Sequence, residues 1–308
     1  MRTLSYTKKV SIKKSVSDFE EIYKDIITFP LHPRIIAQLR WNGIQKRIYY
    51  NLRPLMQQVS LNSIAQIISL KRMPHSMVEK QILCLKETYD YVYDEWLCKK
   101  TLPEEIHIQN ISEKIFGKKN SELLPISSLL SYTLQGNDEP IVKASLIYIH
   151  LRINSQDLPL AHIVAQYTTH LILFSFGYDF REMIVFDEWF YLNKNEISQQ
   201  IQVAIKQNSA TEWIEYFVTS YADLAKKQFN KIQDEIKNID VITSTQLTDR
   251  QRAILTFISN PEKRISNRDV QKLFHVSQIT ASRDLTSLAE KGLVLIIGKG
   301  RSTYYSKI

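Results

Sequence analysis

Near the C-terminus, residues of the right types and spacing to read a polynucleotide come together. Gln278, Thr280, Ser282 and Arg283 fall within one short stretch, and Lys299 and Arg301 flank a glycine in a basic turn, Gly298-Lys299-Gly300-Arg301. Amide, hydroxyl and guanidinium groups reach base edges in the major groove, and Lys and Arg neutralise phosphates. Elsewhere chemistry-bearing residues are scattered. Cys84 and Cys98 have no CxxC or Cys/His spacing, so reduced thiols are expected, with no metal site and no cofactor. His32, His75, His107, His150 and His170 lack partners at metal or triad spacing and read as structural. Asp157 and His162 are groups that new chemistry could conscript, although a histidine at a helix start is more often a capping or core group.

The elements that must position the C-terminal residues can be read one by one. Thr248 and Gln251 form a capping box ahead of Ile254, Leu255 and Ile258, and Asn260-Pro261 stops that helix. Ser266 and Asp269 open a second, short helix with Val270, Leu273 and Phe274 on one face. A tight turn through His275 and Val276 leads to Ser277, the cap of a third helix. There Ala281, Leu285 and Leu288 face a core and leave Gln278, Thr280, Ser282 and Arg283 on the opposite side. After Gly292, the apolar run Leu293 to Ile297, the basic turn and Thr303 to Tyr305 read as a β-hairpin. Three helices and a hairpin in this order predict a winged helix-turn-helix domain over 247–308, with the third helix in the major groove and the hairpin as wing. From Thr248 onward there are 11 Lys or Arg against 5 Asp or Glu, so the segment carries +6 of the chain's formal +8, which suits DNA as partner.

The 308 residues, 44 % of them apolar, suffice for two or three domains that fold without metals or disulfides. Lys8, Lys9, Lys13 and Lys14 precede no apolar core of a signal peptide, so a cytoplasmic protein is expected, with the basic start as a solvated tail. Leu171 to Phe176 is too short to span a bilayer, so no membrane partner is expected. From Ser17 to about Asn238 the apolar spacing predicts an all-α body, with helices at Val78–Trp96, Pro103–Phe116, Ile141–Arg152, Leu160–Phe176, Phe186–Lys206 and Ala210–Asn238. Ile239 to Gln246 lacks helical periodicity and reads as a linker. The expected division is a helical region at 1–100, a helical core at 101–240 and the winged domain at 247–308.

The run Pro140-Ile141-Val142-Lys143-Ala144-Ser145-Leu146 resembles the helix that precedes the active-site loop of Fic proteins. Leu171 to Tyr178, ending Phe176-Gly177-Tyr178, is similar to the end of the helix that follows the loop. Asp187-Glu188-Trp189-Phe190 and Asn193-Lys194-Asn195-Glu196 are similar to the next helix, and many Fic proteins end in a winged helix. The resemblance implies a mainly α chain, a Fic-like helical body followed by a small α+β winged domain. It also implies a place for nucleotidyl transfer, usually of AMP from ATP to a hydroxyl. That chemistry uses a loop HPFxDGNGR, with a histidine base, an acidic Mg²⁺ ligand, phosphate-cradling glycines and an arginine.

Aligning the flanks without a gap puts Ser155-Gln156-Asp157-Leu158-Pro159-Leu160-Ala161-His162-Ile163 at this loop. Ser155 then stands for the base, Pro159 for the metal ligand, Leu160 and His162 for the two glycines and Ile163 for the arginine. None of the motif is retained. Leu61 to Ile67 resembles the family's inhibitory helix, but Ala65 stands at the glutamate. The resulting expectation is a non-catalytic body, dimeric or bound to a protein partner, joined to a DNA-binding winged helix. A divergent AMP transferase is the alternative.

Overall fold

A helix that is apolar on every side has to sit inside its domain, because no face of it tolerates water. Pro140–Asn154 and Ala161–Ser175 come near this, with most residues apolar and nearly all buried, and the rest of the body is arranged around them. The computed structural model describes residues 3–31, 33–53, 59–69, 74–99, 102–116, 130–131, 133–134, 136–155, 160–245, 247–258, 263–291, 293–298, 300 and 303–307. The chain divides into two units, Met1–Leu31 with Leu39–Phe229, and His32–Gln38 with Asn230–Ile308.

The first unit is helical: α1 (Val10–Thr28), α2 (Pro33–Leu52, from Leu39), α3 (Leu61–Ser69), α4 (Met77–Lys99), α5 (Glu105–Phe116), α6 (Pro140–Asn154), α7 (Ala161–Ser175), α8 (Asp187–Leu192), α9 (Lys194–Gln207) and the start of α10 (Thr211–Thr245). Among these, α6 and α7 share the most extensive contact, and α7 also packs on α4 and α5. Residues 141 to 151 of α6 are all buried. Trp213 of α10 is buried among them, donating its indole N–H to the Ser145 carbonyl at 2.8 Å and stacking on Tyr148 at 5.4 Å. Helix α7 ends in a Schellman motif, in which the N–H of Tyr178 bonds the Leu173 carbonyl at 2.9 Å and that of Gly177 the Phe174 carbonyl at 2.8 Å. Gly177 supplies the required positive φ of 89°.

Beside α7 lies a buried polar network. The Arg47 guanidinium donates to Asp187 at 3.4 Å and to the Ile184 carbonyl at 2.6 Å, and Asn51 donates to Asp187 at 2.7 Å. Glu182 accepts from Tyr89 at 2.8 Å and pairs with Arg40 at 3.0 Å. These bonds hold the turn Phe180–Glu182, whose three residues have φ between 50° and 60°, a region costly for side-chain-bearing residues.

The second unit contains the rest of α10, then α11 (Asp249–Phe257), α12 (Asn267–Phe274), α13 (Gln278–Glu290) and a two-stranded antiparallel sheet, β1 (Val294–Ile297) with β2 (Tyr304–Lys307). Both capping boxes are present: the side chains of Thr248 and Ser266 accept from the N–H groups of Gln251 and Asp269, and the reciprocal bonds are made. Ser277 accepts from Thr280 N–H. His275 takes φ 51° between α12 and α13. Val294 pairs with Lys307 and Ile297 with Tyr304, and a bridge between Ile265 and Tyr305 adds a third short segment to the hairpin. Ile254, Ile258, Val270, Ala281, Leu285 and Leu288 make the core. Asp284, nearly buried, ties α13 to α11 through Arg250 and Gln251.

Four expectations are corrected. Residues 239 to 245 continue α10 as helix rather than forming a linker: β-branched residues lower helix propensity by only tenths of a kcal/mol each, and an established helix propagates through them. Gln246 lies outside the described residues. The expected helix Phe186–Lys206 is two helices that meet at Asn193, whose backbone leaves the helical region (φ −106°, ψ 22°) and whose side chain bonds the Trp189 carbonyl at 3.0 Å. The basic N-terminus is no solvated tail. Leu4 is fully buried, its N–H donates to His150 Nε2 at 3.1 Å, and Lys8 pairs with Asp138 and Glu139 at 2.9 Å each. Leu273 is exposed, because the buried face of α12 is defined by Val270 and by Phe274 one turn later.

Candidate functional site

The junction of α6 and α7 falls where the sequence puts its altered loop. Ser155 caps the C-terminus of α6, and its hydroxyl donates back to the Leu151 carbonyl. Leu160 precedes α7 with φ 64°. Ile163 is buried in the core. Gln156, Asp157, Leu158 and Pro159 lie outside the described residues.

His162, in the first turn of α7, is half-buried and lines a cavity of about 140 Å³. Arg152 from the last turn of α6 and Lys194 from the first turn of α9 line the same space. The histidine is pushed down to about 4, first by burial and then by these two positive charges. Tyr148 lies one turn before Arg152, and its hydroxyl is raised to about 12 by burial against the opposing effect of that guanidinium. Thus His162 is brought to a cavity, whereas Ser155 and Ile163 are directed elsewhere. Arg152 and Lys194 were not singled out by the sequence reading. The usable signal was the four-residue step in Tyr148/Arg152 and His162/Gln166, which aligns each pair on one helix face.

In the second unit, α13 presents the expected side chains. Gln278, Ser282 and Arg283 are exposed and Thr280 is half-buried, with its hydroxyl 3.0 Å from that of Ser277. Asn267 of α12 donates to the Gln278 carbonyl at 3.2 Å, fixing the start of α13 against α12. Ile279, 67 % exposed among these polar groups, was missed by the sequence reading because an isoleucine in a helix is ordinarily assigned to the core. Lys299 and Arg301 lie outside the described residues. Arg268 on α12 is exposed, and Arg264 lies over the Tyr304 ring at 4.5 Å.

No family model matches this sequence, and no curated protein does. Among solved structures, the crystal structure of a Fic family protein from Desulfovibrio desulfuricans G20 is similar over 99 % of this chain and 98 % of its own, with a TM-score of 0.61 at 14 % identity. The chain has the fold of a Fic family protein. At this identity the Fic fold fixes the architecture alone, and the chemistry has to be read from the residues of this chain. No described helix is long and apolar enough to cross a membrane, and no group of three His, Cys, Asp or Glu among the described residues is placed to hold a metal ion.

Proposed function

We propose that this protein is a non-catalytic Fic-like regulator of transcription that binds DNA through its second unit, read as a winged helix-turn-helix. The observation that carries the reading is the division of α13. Ala281, Leu285 and Leu288 are buried, while Gln278, Ile279, Ser282 and Arg283 project from the same helix into solvent near its N-terminus. That is the side-chain set for a helix in a major groove: amide and guanidinium for base edges, hydroxyl for base or phosphate, and an isoleucine for the thymine methyl. Lys299 and Arg301 are assigned to the wing, against the backbone. A cytoplasmic homodimer reading two half-sites would multiply the modest affinity of one small domain, and the helical body would supply the dimer or protein contact. For catalysis, the body has lost the residues that the family's chemistry requires, with Ser155 and Ile163 turned to structural bonds and core.

Pull-down of fragmented genomic DNA by the full-length chain is expected to enrich particular fragments, and a truncation at Gln246 is expected to enrich none. On the enriched site, Arg283→Ala weakens binding by about 1–3 kcal/mol and makes the dependence of log K on log salt shallower by about one phosphate contact. Equal affinity of Arg283→Ala and the parent chain at matched salt overturns the assignment of α13. Enrichment retained by the truncation overturns the assignment of the whole unit.

A further inference from the structure

The cavity at the α6–α7 junction has features that neither the fold nor DNA binding explains. Arg152, His162 and Lys194 converge on it from three helices, and no Asp or Glu among the described residues lines it. The Arg152 Nε–H is buried and makes no hydrogen bond among the described residues, while another part of the guanidinium bonds the Tyr148 hydroxyl. Burying a donor of a charged group without a partner is costly, and the exposed Lys194 at the cavity's rim adds a second positive charge. Helix α7 adds to the positive potential: its N-cap, Leu160, offers no side-chain acceptor, and its first turn has no acidic residue. An anion of suitable size would satisfy all of these groups at once.

Size and wall chemistry narrow the class of anion. A cavity of about 150 Å³ accommodates benzene, whereas sites for drug-sized ligands start at about 300 Å³. The observed 140 Å³ matches one ring with a short substituent. The remaining lining is largely aromatic. Tyr148 and Phe190 stack at 4.9 Å with 26° between their planes, and Tyr50 and Tyr191 stand beside them. Arg presents a planar fork that matches a carboxylate bidentately. We propose that this cavity is a binding site for a small aromatic monocarboxylate, the carboxylate held by Arg152 and Lys194 and the ring lodged against Tyr148 and Phe190. Such an occupant makes the helical body a receptor for a small aromatic acid, and this does not depend on what the second unit binds.

The test is calorimetric titration of the full-length protein with benzoate, benzamide, inorganic phosphate and ATP with Mg²⁺. Benzoate is expected to bind with one site per chain. Benzamide, which keeps the ring and loses the charge, and phosphate, which keeps the charge and loses the ring, should each bind roughly tenfold more weakly or worse, the loss of one charge-assisted contact or of the ring packing. Arg152→Met should reduce benzoate affinity by roughly tenfold or more. Should that variant fail to fold by circular dichroism, the exposed Lys194→Met, expected to lose several-fold, gives the same information. The proposal is overturned by absence of benzoate binding to the folded parent chain, by equal affinity for benzoate and benzamide, by phosphate binding as tightly as benzoate, or by ATP binding that displaces benzoate and depends on Arg152.

Discussion

Asp187→Ala is expected to lower the unfolding free energy by about 3–5 kcal/mol. Asp187 is 2 % exposed and Arg47 3 %, so neither has water to fall back on. Removing the carboxylate leaves the guanidinium with the backbone carbonyls of Ile184 and Glu182, the Tyr89 ring and the Glu182 carboxylate farther off, and strips Asn51 of one of its two acceptors, the Arg47 carbonyl remaining. An uncompensated buried charge costs more than the pair gains over two apolar residues, and this asymmetry makes the single variant severe. Because domains are stable by only about 5–15 kcal/mol, much of the margin disappears. Urea unfolding of the parent chain, Asp187→Ala and the double variant Asp187→Leu with Arg47→Met would measure it. The single variant should unfold at much lower urea and the double should recover most of the loss. An unchanged midpoint in Asp187→Ala would show that the network contributes nothing.

The second large effect is loss of stability in mild acid. His150 and His170 are buried, and burial pushes each down to about 4. His150 Nε2 accepts the Leu4 N–H, which only an unprotonated nitrogen can do. Neither ring nitrogen of His170 has a hydrogen-bond partner, and the ring lies against Phe174, with Arg47 opposing its protonation and Asp187 favouring it. The unfolded chain takes up these protons near 6.5, so between about 4 and 6.5 it binds more protons than the folded one. Stability therefore rises with pH through that window and falls as pH drops from 6.5 towards 4, by about 1–2 kcal/mol per histidine at pH 5. Urea midpoints at pH 7 and pH 5 would show the fall, and His170→Phe should reduce it while leaving the pH 7 midpoint equal or higher. A fall of the same size in His170→Phe would exclude His170 as a source.

Local signals with strict spacing were legible. The caps Thr248, Ser266 and Ser277 set helix starts through bonds to the backbone three residues on, and the periodicity of Ala281, Leu285 and Leu288 set the buried face of α13. In such places the sequence specifies the neighbours directly. Where the signal was periodicity alone it failed: residues 239 to 245, which lack it, are helical, and Asn193 splits what it joined.

Of the candidate sites, the α13 surface was readable because its residues share one helix, where spacing is position. The interior cavity was not, because Arg152, His162 and Lys194 come from three helices and meet only when α6, α7 and α9 pack. The same holds for the buried network. Arg47, Glu182 and Asp187 are each charged residues that a linear reading places at the surface, and only mutual proximity across long sequence separations makes their burial tolerable. The sequence by itself thus determined the helical class, the capped C-terminal helices and the exposed polar face of α13, all governed by interactions within a few residues. Which charges are buried, which cations share a cavity and where Leu4 docks were decided by tertiary packing, since those energies depend on partners that local order cannot name.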